Sequence, residues 1–208
     1  MLKTFLFDLG NVLVFFCHDR MCRQIGELFG RPAEEVRQQL MASGLQWDYE
    51  RGRIDEPVLQ SRLEELFGSR VSLPALKLAI ADIFVLNQSM LPVLDELKRQ
   101  GGRLVLLSNT CRSHIEFIRS RWDVLDRFDH LVLSYEVGAV KPEEAIYHAA
   151  LQAIECAPGE TLYTDDIEPY VEQGRAVGLQ AVQFTGTAQY LRDLRRFGVE
   201  LSEDLAVC

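Results

Sequence analysis

The sequence predicts an α/β fold: a Rossmann-like parallel sheet forms the core, and a small helical domain is inserted near its start. Three observations predict it. Short continuous apolar runs recur along the chain, as they do in strands covered on both faces. In the later part of the chain, segments of helical period, about 10–15 residues long, separate those runs. From Asp19 to Phe84 the spacing is helical only.

Taken in order, Phe5-Leu6-Phe7 reads as the first strand and Val12 to Phe16 as a second buried strand, with Asp8-Leu9-Gly10-Asn11 between them. Helical spacing then runs through Met21, Ile25, Leu28 and Phe29, through Val36, Leu40 and Met41, and through Leu59, Leu63 and Leu66-Phe67. Pro32, Gly44, Gly52, Gly68 and Pro74 punctuate this stretch into four or five short helices. A helix through Leu91, Leu94 and Leu97, closed by Gly101, leads to a strand at Leu104 to Leu107. The alternation continues with a helix over 113–121, an apolar run at Leu131 to Leu133 and a helix over 143–154. It ends with a strand at Leu162-Tyr163, a helix over 168–177, a strand over 181–184 and a last helix through Tyr190 and Leu194. Strands and helices in alternation imply right-handed βαβ units.

Composition narrows the function. The chain of 208 residues is 48% hydrophobic and 25% charged, which suits one domain with a smaller insert and excludes disordered, collagen-like and disulfide-scaffold classes. A net charge of −9 argues against nucleic acid as a partner. The five cysteines, Cys17, Cys22, Cys111, Cys156 and Cys208, are odd in number and scattered, with no C-x-x-C pair, so a reducing cytoplasmic setting is expected and a zinc site is not. Asp8 interrupts the first apolar stretch and no small-residue cleavage site follows it, so it reads as a strand rather than a signal peptide. No apolar run approaches the roughly 18–20 residues of a membrane span, so no membrane partner is expected.

In an open parallel sheet, ligands bind beyond the carboxyl ends of the strands. Four polar groups follow strand runs directly: Asp8, Ser108-Asn109-Thr110, Lys141 in the loop after Leu133, and Asp165-Asp166. Singly, each has an ordinary reading, since Ser-Asn-Thr suits a helix N-cap and an Asp after a strand suits a turn. Together they do not. Carboxylates converging on one crevice repel by roughly 4 kcal/mol per close pair at an effective dielectric near 20, so a cation must hold them. Oxygen ligands without Cys or His select Mg²⁺. A lysine and a hydroxyl beside the ion supply charge and donors for phosphoryl oxygens.

Phe7-Asp8-Leu9-Gly10-Asn11-Val12, Leu107-Ser108-Asn109-Thr110, Gly138-Ala139-Val140-Lys141-Pro142 with Ile146-Tyr147, and Tyr163-Thr164-Asp165-Asp166, in that order, resemble the four motifs of the haloacid dehalogenase-like hydrolase superfamily. A bacterial receiver domain also gathers acids and a lysine, but there the acidic pair comes early. The resemblance covers almost the whole chain. It implies a core of residues 1–14 and 86–208 and a helical cap of residues 15–85, including Tyr49-Glu50-Arg51-Gly52. It further implies that Asp8 is the nucleophile and forms an aspartyl-phosphate, and that Ser108 and the backbone N–H of Asn109 bind the phosphoryl group. Lys141 neutralises charge, and Mg²⁺ is held by Asp8, the Gly10 carbonyl, Asp165 and, through water, Asp166. The implied activity is a Mg²⁺-dependent phosphatase for a small phosphorylated metabolite, working as a monomer or homodimer.

Two positions depart from the pattern. Most phosphatases of the superfamily carry a second Asp two residues after the nucleophile as acid and base; here Gly10 stands there. That glycine looks similar to the branch of sugar-1-phosphate phosphatases and epoxide hydrolase N-terminal domains. The second is Tyr170, where an Asn usually follows a paired Asp. His18 is an auxiliary acid candidate at the entry to the cap, whereas its neighbour Asp19 reads as a helix N-cap. Cys17 reads as buried, and Phe15, Phe16, Trp47 and Tyr49 as either pocket wall or core packing. Two alternatives stay open: a phosphate-binding or regulatory protein that has lost turnover, and a metal-independent haloacid dehalogenase, which also lacks the second Asp.

Overall fold

The computed structural model describes residues 1–202 and Leu205; Cys208 lies outside the described residues. The chain opens with β1 (Thr4–Phe7) and β2 (Val14–Phe16). Five helices follow: α1 (His18–Phe29), α2 (Ala33–Ser43), α3 (Leu45–Glu50), α4 (Glu56–Phe67) and α5 (Leu73–Ala81). Then come β3 (Phe84–Leu86), α6 (Leu91–Arg99), β4 (Arg103–Ser108), α7 (Arg112–Arg121), β5 (His130–Leu133), α8 (Ser134–Val137) and α9 (Glu144–Ala153). The last elements are β6 (Thr161–Asp165), α10 (Glu168–Ala176), β7 (Gln180–Gln183) and α11 (Thr187–Arg196).

Five strands form one parallel sheet in the order β5-β4-β1-β6-β7. β1 is central and buried throughout, which is why its sequence is a continuous apolar run. Its side chains alternate between the two faces. Leu6 packs with Val105, Leu107, Val132 and Tyr163 beneath Ile146, Tyr147 and Ala150 of α9. Phe5 and Phe7 face the opposite layer, with Leu94 and Leu97 of α6, Ile115 of α7 and Tyr190 and Leu194 of α11. That second cluster runs on without a break into Ile25, Leu63 and Ile80 of the inserted helices. Each fully buried Leu or Phe in it contributes about 1.5–3 kcal/mol.

The inserted helices begin and end where local chemistry dictates. Asp55 caps α4 by accepting the Val58 N–H at 3.0 Å, with Pro57 in the first turn, and Ser72 caps α5 by accepting the Ala75 N–H at 3.3 Å. Among the described residues, no helix is long and apolar enough to cross a membrane.

The second strand differs from the sequence reading. Val12 and Leu13 belong to a turn closed by hydrogen bonds from the N–H groups of Leu13 and Val14 to the Leu9 carbonyl, at 2.9 and 3.0 Å. The strand starts at Val14 and pairs antiparallel with β3, Phe16 opposite Phe84. The apolar pair at 12–13 is buried because the turn folds into the core, while Phe15 on the strand is 47% exposed. β3 lies at the end of the stretch whose spacing reads as helical; three residues are too few to carry a period of two.

Candidate active site

The sheet brings four of its strand ends to one crevice. β1 delivers Asp8, whose N–H is fixed to the Thr164 carbonyl at 2.9 Å, and β6 delivers Asp165. Between them stands Lys141, its Nζ 2.7 Å from Asp8 Oδ1, 2.6 Å from Asp165 Oδ2 and 3.2 Å from the Leu107 carbonyl at the end of β4. All three side chains are buried. One carboxylate oxygen each from Asp8, Asp165 and Asp166 lies within 4.8 Å of the others.

The two acids of the last motif are engaged differently. Asp165 Oδ2 accepts from Lys141 and from the Tyr163 hydroxyl at 2.5 Å, and its Oδ1 accepts the Ile167 N–H at 2.9 Å. Oδ2 thus has two donors, whereas Oδ1 has one and keeps a lone pair free. Asp166 uses one oxygen, which accepts from Asn11 Nδ2 at 2.9 Å. Asn11 adopts a left-handed backbone (φ 54°), a conformation an Asn tolerates better than most residues.

The charges on these groups follow from burial. Desolvation raises Asp8 to about 7 despite the opposing pull of Lys141, with Asp165 and Asp166 adding to the rise. Burial likewise raises Asp166, against the hydrogen bond from Asn11. Desolvation alone would lower Lys141, but Asp165 and Asp8 outweigh it and hold the ammonium above its ordinary value. Three carboxylates around one ammonium, with oxygen donors only, are a donor set that fits a hard divalent cation.

On the opposite side of Asp8, Ser108 is buried and its hydroxyl has only a long contact, 3.4 Å, to the Asn109 carbonyl, so it is available to a ligand. The Asn109 side chain is not: it donates to the Lys141 carbonyl at 3.1 Å and accepts the Lys141 N–H at 2.7 Å, clamping the two loops together. Among the described residues, Thr110 Oγ1 is buried without a partner. Sequence reasoning grouped Thr110 with Ser108 and Asn109 but gave it no role. The Tyr170 ring lies 5.1 Å from Lys141 Nζ, a cation–π contact where an Asn was expected.

Asp8, Asp166, Lys141, Ser108, Asn109, Thr110 and Tyr170 line one cavity of about 250 Å³, with Asp165 buried behind them. Its far wall is Phe16, His18, Gln46, Trp47, Glu50, Ile83, Phe84 and His114. His18 thus stands on the wall, its ring 4.9 Å from that of Phe16, with burial lowering its pKa. Of the aromatics singled out in the sequence, Phe16 and Trp47 reach the cavity; Tyr49 is buried, its hydroxyl donating to Ser113 Oγ at 2.8 Å. Cys17 is exposed rather than buried. Beside Gly10 there is no free space: a Cβ there would lie 2.7 Å from Phe16 Cε1. Gln46 and His114 belong to no motif and Glu50 only to the Tyr49-Glu50-Arg51-Gly52 segment, and their place on the cavity wall is revealed by the structure.

A parallel sheet with an acid at the end of its central strand, an acidic pair and a lysine in one crevice defines a class of hydrolases. The haloacid dehalogenase-like hydrolase family profile matches residues 2–178, and the chain belongs to that family. Among curated proteins it is similar to D-ribitol-5-phosphate phosphatase of Bacteroides thetaiotaomicron, at 26% identity over 204 residues covering 93% of this chain and 97% of that one. Bifunctional epoxide hydrolase 2 of Rattus norvegicus is 26% identical over 115 residues, 53% of this chain and 21% of its own. Among solved structures, a family enzyme of Bacteroides thetaiotaomicron in complex with magnesium and inorganic phosphate superposes with a TM-score of 0.79 at 25% identity, covering 88% of this chain and 94% of that one.

Proposed function

We propose that this protein is a Mg²⁺-dependent phosphatase that hydrolyses a small phosphorylated metabolite through an aspartyl-phosphate on Asp8. The observation that carries the reading is the set of buried Asp8 and Asp165 and half-buried Asp166 beside Lys141, next to a cavity that also holds the Ser108 hydroxyl and, without a partner among the described residues, that of Thr110. The relatives named as phosphatases, and the magnesium and phosphate complex of the similar structure, support it.

In this reading Lys141 holds Asp8 Oδ1, which leaves Oδ2 to attack phosphorus. The Ser108 hydroxyl, the Asn109 N–H and the Thr110 hydroxyl bind the phosphoryl oxygens, and Lys141 balances their charge. Asp8, the Gly10 carbonyl and Asp166 would hold Mg²⁺. Asp165 fixes the lysine through Oδ2 and would join the Mg²⁺ ligands through Oδ1, which accepts only the Ile167 N–H. When bound, Mg²⁺ supplies charge that offsets the developing negative charge on the phosphoryl group. The inserted helices, taken as a cap of residues 15–85, exclude bulk water and select the leaving group. A metal-independent dehalogenase has no use for three carboxylates so close together.

Screening phosphorylated metabolites tests this directly. Turnover is expected with Mg²⁺, stops with EDTA, and falls by about 10⁴-fold or more in Asp8→Asn. Activity that survives either treatment, or halide release in EDTA, overturns the reading.

A further inference from the structure

We propose that Glu50, reaching the site from the inserted helices, gives a proton to the leaving group and then draws one from the attacking water. This rests on the phosphatase reading and names the acid and base that Gly10 does not provide.

The geometry excludes the usual place and supplies another. Gly10 has no side chain, and the Phe16 ring occupies the room beside it. Glu50 ends α3 and lines the same cavity as Asp8, Ser108 and Lys141. Its backbone is tied to the phosphate-binding loop through one hydroxyl: Ser134 Oγ donates to the Glu50 carbonyl at 2.6 Å and accepts the Thr110 N–H at 2.9 Å. Its carboxylate accepts from Gln46 Nε2 at 3.0 Å, which aims it from the preceding turn of α3. Glu50 has no ion pair among the described residues, because the neighbouring Arg51 pairs with Glu143. The other ionisable groups that sense it are Cys111 and Tyr170, both protonated at neutral pH.

The remaining wall groups are poorer donors. Burial raises the Glu50 carboxyl, with the Gln46 hydrogen bond and Arg51 opposing, so a proton is held nearer neutrality. Burial brings His114 to about 4, so its imidazole is neutral there, and desolvation with Arg37 lowers His18, away from the range of a proton donor. Asp166 faces Asp8 within the cation-holding set.

The chemistry balances. Asp8 Oδ2 forms a bond to phosphorus, the bond from phosphorus to the leaving oxygen breaks, and that oxygen takes the Glu50 proton and departs as an alcohol. Water then attacks phosphorus, Glu50 accepts its proton, and the bond to Asp8 breaks to release inorganic phosphate. Leaving group and water use the same side of the phosphoryl group in turn, so one carboxyl serves both steps.

The test compares leaving groups in Glu50→Gln, which keeps the shape of the side chain and an acceptor for Gln46. Phenyl phosphate needs a proton on departure, and p-nitrophenyl phosphate does not. In Glu50→Gln, kcat/KM is expected to fall by about 10²-fold or more for phenyl phosphate and less than about threefold for p-nitrophenyl phosphate. With the latter, nitrophenol appears as a burst and intact mass shows a retained phosphoryl group, because hydrolysis of the acyl phosphate is slowed. Glu50→Asp restores part of the phenyl phosphate rate. An equal loss on both esters, or no loss on either, overturns the assignment of Glu50 while leaving the phosphatase reading standing. Wild-type protein that hydrolyses neither these esters nor any sugar or polyol phosphate overturns the phosphatase reading itself.

Discussion

Gly10 and Phe16 are complementary: the absent side chain leaves a gap, and the ring fills it, 2.7 Å from where a Cβ would stand. Restoring an Asp at this position therefore does not restore a working acid. Gly10→Asp should destabilise the protein by about 1–3 kcal/mol through overpacking, read from the urea midpoint. Phe16→Ala in the same chain should recover part of that loss, and only the double variant has room for a carboxyl beside Asp8. A single variant as stable as wild type would show that the ring yields freely. At this scale the sequence shows Asp8 and Ser108 plainly, because each stands at the end of a strand run, and Lys141 in the loop between β5 and α9, beyond the short α8. It does not show that Asp165 accepts from Lys141, Tyr163 and Ile167 while Asp166 accepts from Asn11, since those partners come from distant segments or from the local turn.

Between elements, the inserted helices are fastened to the sheet at particular places. The turn after α3 passes so close to α8 that a Cβ on Gly52 would meet the Tyr135 carbonyl at 2.1 Å, and its φ of 64° suits glycine alone. Tyr49 bonds Ser113 at the start of α7, and Ser113 bonds Glu56 of α4 at 3.2 Å. His114 belongs to the same seam, its ring edge-on to Phe84 with centroids 4.9 Å apart and its Nε2 buried without a partner. Burial, with His18 adding to it, lowers this imidazole from its ordinary 6.5 to about 4, so the folded state carries it neutral while the unfolded chain protonates it below about 6.5. The unfolded state then binds more protons, and this contribution to stability is complete above 6.5 and lost as pH falls towards 4. Urea unfolding of wild type and His114→Gln across that window checks it: the wild type should lose more stability on acidification than the variant. Equal slopes would remove His114 from the account. Of the antiparallel pair that carries the chain into and out of this region, β2 lies within the run read as a strand, whereas β3 was illegible for a plain reason: a strand of three residues lacks the length to display its period.

For the molecule as a whole, an anionic chain of net charge −9 with three clustered carboxylates has to attract an anionic substrate. Lys141 alone leaves the cluster with an excess of negative charge, so the folded state should gain stability from a divalent cation. Saturation with Mg²⁺ at about 100 times its Kd is worth about 2.7 kcal/mol, which for a chain of this length raises Tm by roughly 5–10 °C. Thermal unfolding with Mg²⁺ and with EDTA measures the difference, and Asp166→Asn should abolish it. A wild-type Tm indifferent to Mg²⁺ would contradict the assignment of these acids as its ligands.

The sequence by itself determined the α/β class, the first strand and the order in which the motif residues arrive. These properties are local: strand runs, helical periods and the residue that follows each strand are written along the chain. Only the tertiary structure decided that Phe16 occupies the room beside Gly10, that Asp165 accepts from Lys141, Tyr163 and Ile167 while Asp166 accepts from Asn11, and that Glu50 lines the same cavity as Asp8. Those facts depend on which side chains from distant segments share a desolvated space, and no spacing in a single chain encodes such a meeting.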